Sequence, residues 1–246
     1  MPKTLLRHAL DLPPPYRLIT LREVGDAFAH ACRVAAQEGA GTLIWVGRAD
    51  VAEFAVVLEP DEPLSAARRA FFAGMNAVGD AISALCPPEK DVTFDWPDAI
   101  RLDGGLLGGG RLGWPKRSPE NAPPKWLVFA AMVRTMLITK LEPGHLPQAT
   151  AMLEEGLEDA DAAALVESAA RHLMVAVDTW QEKGFPPIAE RYLARLSGRR
   201  DGVRRGIAPD GDLIVGSDPA NAARHAVMPA LRTPTWLDPK SGMPWV

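Results

Sequence analysis

The chain is poor in cysteine and histidine and has no long apolar run. Its two cysteines, Cys32 and Cys86, fall in neither a CxxC nor a zinc-binding spacing, and one pair cannot staple a chain of 246 residues. A reducing, cytoplasmic compartment is therefore expected. The histidines at 8, 30, 145, 172 and 225 show no HxxxH or HxH pattern, so no metal ligands are expected. Positive charge is also short: 27 Lys and Arg face 31 Asp and Glu, a net charge of -4, which gives no global field to hold nucleic acid. The longest apolar run, residues 126–133, stops at Arg134, well below the roughly 20 residues that span a bilayer. Residues 1–12 lack a secretory apolar core. Neither a nucleic-acid nor a membrane partner is expected.

What is present suits an ordinary folded core. Hydrophobic residues make up 47% of the chain, and the 21 glycines and 23 prolines cluster between periodic segments, as turn residues do. Apolar positions at Val24, Ala27, Phe28, Ala31, Cys32 and Ala35 predict a helix over 22–38. Two strands, 42–46 and 54–58, follow. A longer stripe, Leu64, Ala67, Phe71, Met75, Val78, Ile82 and Leu85, predicts one helix over 64–85, stopped by Pro87 and Pro88. Strand pieces are expected at 91–96, 99–102 and 126–137. Asp159 and Asp161 open a third long helix with the stripe Val166, Ala170, Leu173, Val177 and Trp180, and a shorter helix runs over 188–196. Beyond Ser197 a hairpin over 203–208 and 212–216, turned by Pro209, Asp210 and Gly211, predicts a small β-rich module. The expected fold is α/β (α+β), a mixed central sheet flanked by helices over residues 1–196 with the β-rich module over 197–246.

The densest chemical signal is residues 95–110, where a strand leads into a glycine hairpin. Gly108, Gly109 and Gly110 in a row permit close approach of backbone to another group. No Lys followed by Ser or Thr comes after them, so this is not a phosphate-cradling loop. The stretch resembles the motif region of the biotin and lipoate protein ligase superfamily. Trp96 and Pro97 match that pattern, with Asp98 where Asn is usual and Ala99 where the family has Asp. Asp103 and Gly104 match, and so do Gly108 and Gly109, but Leu106 occupies the position of the family's reactive-site lysine. The order of elements agrees over roughly residues 20–215.

The resemblance implies the superfamily fold and, for working members, adenylation of a biotin, lipoyl or octanoyl carboxylate with ATP and magnesium, then transfer to a carrier-domain lysine. Leucine supplies no ammonium for that step. The family's glycine- and arginine-rich phosphate loop is reduced here to Gly47 and Arg48, beside Asp50. Phe129 to Met132, including Ala131, stand where glycine and asparagine are usual and would narrow the pocket. The expected ligand contacts are therefore Gly47, Arg48, Trp96, Pro97, Asp98, Leu106, Gly108, Gly109, Gly110, Phe129 and Ala131. Arg111, Lys116 and Lys125 are the candidate substitutes for the lost lysine, Arg111 foremost. A basic cluster, Arg195, Arg199, Arg200, Arg204 and Arg205, is a candidate contact for an acidic carrier.

Three functions follow from the resemblance. The first is a protein with an altered adenylation site that binds a small acyl ligand or a carrier domain without efficient ligation. The others are an active ATP-dependent ligase or acyltransferase, and a non-catalytic interaction module whose pocket has collapsed.

Overall fold

A computed structural model describes residues 10–138, 148–157, 161–199, 201–218 and 221–245. The positions 1–9, His145, Asp159 and Arg200 lie outside the described residues. The chain builds a seven-stranded sheet from β1 (Arg17–Leu21), β2 (Thr42–Val46), β3 (Val51–Leu58), β4 (Val92–Asp95), β5 (Ala99–Leu102), β6 (Gly105–Gly113) and β7 (Leu127–Arg134). Its order is β1-β2-β3-β7-β6-β5-β4. The pair β1–β2 is parallel and the rest are antiparallel, so the sheet is mixed. The central strands β2 and β7 are buried along their whole length, which explains their unbroken apolar sequences: both faces are covered.

One face carries the helices α3 (Ala70–Leu85), α4 (Ala162–Lys183) and α5 (Pro186–Arg195), packed on Phe54, Phe94, Leu107 and Phe129. The other carries α1 (Ala27–Glu38) against Ile44, Val46, Ala55, Val128 and Ala130. Asp26 caps α1 by accepting the Ala29 N–H at 2.8 Å, and Gly39, at φ 74°, ends it. Asp161 caps α4 in the same way. The small C-terminal sheet, β8 (Arg204–Ile207), β9 (Leu213–Gly216) and β10 (Ala223–His225), is followed by α6 (Met228–Arg232). The observed architecture is the expected one: a mixed α/β core with a separate C-terminal sheet.

Local boundaries differ from the expectation in three places. The segment 17–21 is an edge strand, and the helix begins only at Ala27, because Asp26 supplies the cap and Val24 is left 97% exposed. The 64–85 stripe breaks into α2 (Leu64–Ala67) and α3. The break sits at Arg68, stacked over Trp114 and paired with Glu120, and Arg69, whose guanidinium lies over the Phe185 ring and bonds Glu62. Gly108 to Gly110 are interior residues of β6, not a loop; the turn before it is Asp103 and Gly104.

After α6 the chain does not stay with the small sheet. Residues 233–245 cross back to the large sheet and cover the part of the α1 face that α1 leaves bare.

Candidate functional site

The bare half of that face is formed where the starts of β3 and β6 meet the end of β7. Val51, Ala99, Leu106 and Met132 make one apolar floor, and Trp236 lies on it. Strand alternation sets this: Met132 shares the face of Val128 and Ala130, while Phe129, Ala131 and Val133 point to the helical layer. Gly109 makes room for the indole, since a Cβ there would run into both the Trp236 ring and the Asp98 carbonyl. The indole N–H donates to Gly110 O at 3.1 Å, and the Gly110 N–H donates to Asp98 O at 2.9 Å. Leu106 is 9% exposed; its main chain pairs with residues 148–150, donating to Gln148 O and accepting from Thr150 N–H.

Two ionisable side chains flank the floor. Asp98, 1% exposed, accepts from the Thr235 N–H at 2.9 Å and the Thr235 hydroxyl at 2.6 Å. Burial raises its carboxyl to about 6, against those donors, which favour the charged form. Arg134, 4% exposed, ends β7. One terminal nitrogen donates to Leu106 O at 3.3 Å and Thr150 O at 3.1 Å; the other donates to Pro244 O at 2.8 Å and Trp245 O at 3.2 Å. Burial pulls its pKa down. At the same end of the sheet the β2–β3 turn is tied to β7 by Thr135 N–H to Asp50 O. In that turn Arg48 forms a two-bond fork with Asp50, at 2.7 and 2.6 Å. Burial raises the Asp50 carboxyl, but the Arg48 hydrogen bond and charge hold it below its ordinary range.

Of the residues expected to touch a ligand, the structure brings together Asp98, Leu106, Gly109 and Gly110, and places Gly47 and Arg48 on the adjoining turn. Phe129 and Ala131 adjoin Gly110 but do not line the floor, because their side chains lie on the helical face. Nor does it bring Trp96, which stacks on Phe72 at 5.9 Å beside Tyr192, whose hydroxyl donates to Pro97 O. Gly108 is pressed against the main chain of Met132. Arg111 does not reach Leu106 either: its guanidinium sits 3.9 Å over the Phe28 ring of α1, and Lys116 and Lys125 are exposed. The basic cluster is spent in part on the fold, since Arg195 pairs with Asp80 and Arg205 donates to Leu196 O.

A model of the biotin/lipoate A/B protein ligase family matches residues 12–194. The chain belongs to that family. It is 25% identical over 202 residues to a biotin--[acetyl-CoA-carboxylase] ligase of Paracoccus denitrificans, covering 80% of this chain and 83% of that protein. Among solved structures it superposes, at TM-score 0.77 and 25% identity, on a biotin protein ligase-like protein of unknown function from Silicibacter sp. TM1040, covering 91% of this chain and 99% of that one. A biotin protein ligase from Aquifex aeolicus in complex with biotin and ATP shares the fold at TM-score 0.61 and 14% identity, over 85% of this chain and 94% of that one.

In this ligase-family chain the matched stretch takes in β1 to β7 and nearly all of α5, and ends before Thr235 and Trp236. Those two residues and Arg134 are the parts of the site that sequence reasoning missed. Arg134 had a signal: a charge closing a fully apolar strand, which registers as a break in a hydrophobic run and not as a buried group. Trp236 had none, because nothing local in residues 233–245 states which face they cover.

Proposed function

We propose that this ligase-family protein binds a small acyl carboxylate, or the carrier domain that bears one, at the Leu106 face without efficient ligation. The carrying observation is Leu106 itself. It stands where the resemblance puts the reactive lysine, and its side chain lies in an apolar cluster with Val51, Ala99, Met132 and Trp236. An ammonium at that point would be aimed at an acyl-phosphate oxygen; losing one such donor costs about 3 kcal/mol of barrier, a hundredfold or more in rate. The residues present also fit ATP and magnesium poorly. The Arg48 fork is occupied by Asp50, Ala99 offers a methyl where a carboxylate is usual, and Asp98 accepts from Thr235. Among the described residues no group of three or more His, Cys, Asp or Glu is placed to hold a metal ion.

Biotin is the first ligand to test, since a related solved ligase carries it; lipoate and octanoate follow from the family. Residues 1–196 are the ligase-like part in this reading and 197–246 the added module, in line with the family match over 12–194. The protein works in the cytoplasm, where its free Cys32 and Cys86 stay reduced. Among the described residues no helix is long and apolar enough to cross a membrane.

The test is the melting temperature with each acid, with and without ATP and magnesium, together with pyrophosphate release in the presence of a carrier. An acid at a hundred times its Kd adds about 2.7 kcal/mol, and the melt should rise by roughly 5 to 10 °C. ATP and magnesium should add nothing to that shift, and pyrophosphate should stay at background. Release above background would sink this reading in favour of the active ligase, which the Paracoccus relative supports by its name. No shift with any acid would favour the interaction module, which the seating of Trp236 on the floor supports.

A further inference from the structure

The segment over the Leu106 face has the build of a removable part. Within residues 233–245 the chain closes its own hairpin: Trp245 N–H donates to Trp236 O, Asp238 N–H to Met243 O, and Gly242 N–H to Asp238 O, at 2.8 to 2.9 Å. Leu237 and Pro244 face each other as a bridge. The hairpin therefore keeps its internal hydrogen bonds if it swings away as a unit. Its polar ties to the large sheet are few and of separate kinds: Thr235 to Asp98, the Trp236 indole to Gly110 O, and the Pro244 and Trp245 carbonyls to Arg134. A hollow of about 560 Å³ bounded by Trp96, Pro97, Pro229, Arg232 and Thr235 lies beside its root.

What the hairpin covers is more telling. Arg134 is a buried guanidinium; among the described residues its four hydrogen bonds all go to main-chain carbonyls, and the Glu154 carboxylate acts on it through its charge without a hydrogen bond or ion-pair contact. A buried guanidinium bonded only to carbonyls is compensated in part by a carboxylate out of bonding reach, and its planar fork of N–H donors is matched best by a carboxylate in direct contact. Two of the four bonds, both on one terminal nitrogen, come from the hairpin. With the hairpin gone, that nitrogen faces an apolar floor of Leu106, Met132, Val51 and Ala99, with the Gly109 space that the indole had filled. A charged end beside an apolar trough is the complement of one class of molecule, an aliphatic or ring-bearing carboxylic acid.

We propose that residues 233–245 are a strap closing a site for such an acid, and that Arg134 is the group that binds its carboxylate. Trp236 holds the place of the acid's apolar body, so ligand and strap compete. This rests on the acyl-binding reading above and adds to it the binding residue and its control.

The test titrates the full chain with octanoate, lipoate and biotin by calorimetry, as wild type, Trp236→Ala, Thr235→Val and the double variant Trp236→Ala with Arg134→Gln. Hydrogen exchange is followed at the Thr235 amide and the Trp236 indole N–H. Trp236→Ala should bind at least one acid about tenfold or more tightly than wild type, since a larger fraction of molecules is open. Adding Arg134→Gln should abolish the gain. Saturating acid should speed exchange at both wild-type positions. Should Trp236→Ala not fold, Thr235→Val, which removes a single hydroxyl tie, must shift affinity in the same direction. A folded Trp236→Ala that gains nothing overturns the proposal. If wild type binds an acid while both positions stay protected, the strap fails and the acyl-binding reading stands; if Trp236→Ala opens and binds no acid, both fall.

Discussion

Gly109 is where the missing side chain matters most. Any Cβ at this position would enter the Trp236 ring and the Asp98 carbonyl, and the latter, as main chain within a hydrogen-bonded sheet, cannot yield. Gly109→Ala should therefore lower stability by about 1 to 3 kcal/mol, read as a drop in melting temperature. Addition of a methyl at the half-buried Gly206, whose Cβ would meet nothing within 4 Å, is the control and should be nearly silent. The run of glycines was legible in the sequence as close approach of backbone to some other group. What approaches was not, because the indole comes from a residue 126 positions from Gly110.

Among elements, the pair α3 and α5 is joined by a buried carboxylate. Asp80 on α3 accepts from Arg191 at 2.6 Å and from Arg195 at 2.8 Å, both on α5, while Asn76 one turn earlier donates to Ile188 O. Asp80→Ala would leave two guanidinium groups facing each other with no anion between them. It should cost about 1 to 3 kcal/mol, measured by urea unfolding, with Asp80→Asn recovering part of the loss. The periodic helices and the apolar strands β2, β3 and β7 could be read from the chain because burial imposes a period on sequence. Edge strand β1 could not, since a five-residue parallel edge with two residues exposed and none buried carries little pattern. The kink between α2 and α3 was equally hidden: the apolar stripe runs through it unbroken, and the cause is contacts of Arg68 and Arg69 with Glu120 and Phe185. Leu106 could be placed at a ligase-like motif from sequence, whereas its neighbour Arg134 emerges only when β6 and β7 are paired.

At the scale of the whole molecule, Asp98 links stability to pH. Its ordinary value is 3.8 and its folded value about 6, so the folded protein holds this proton more tightly than the unfolded chain. The contribution is thus fully present below about pH 4 and is lost as pH rises through 6, a fall on the order of 2 to 3 kcal/mol. Asp98→Asn should flatten that part of the profile. The check is unfolding free energy of both proteins between pH 4 and pH 7; an identical fall in the two would assign it to other groups. Because Asp98 receives both Thr235 donors, the same titration reports on how firmly residues 233–245 are held.

Those residues also close the molecule late in time. Pro244 follows Arg134, which it caps, by 110 residues. At 5 to 20 residues per second a ribosome takes roughly 5 to 20 s to add that length. For that interval β3, β6 and β7 have been made, and the end of their face that α1 leaves bare still lacks its cover. Synthesis thus gives an acid a first claim on the floor before Trp236 is made, and because the two compete for it, an acid bound then would hold residues 233–245 off when they emerge.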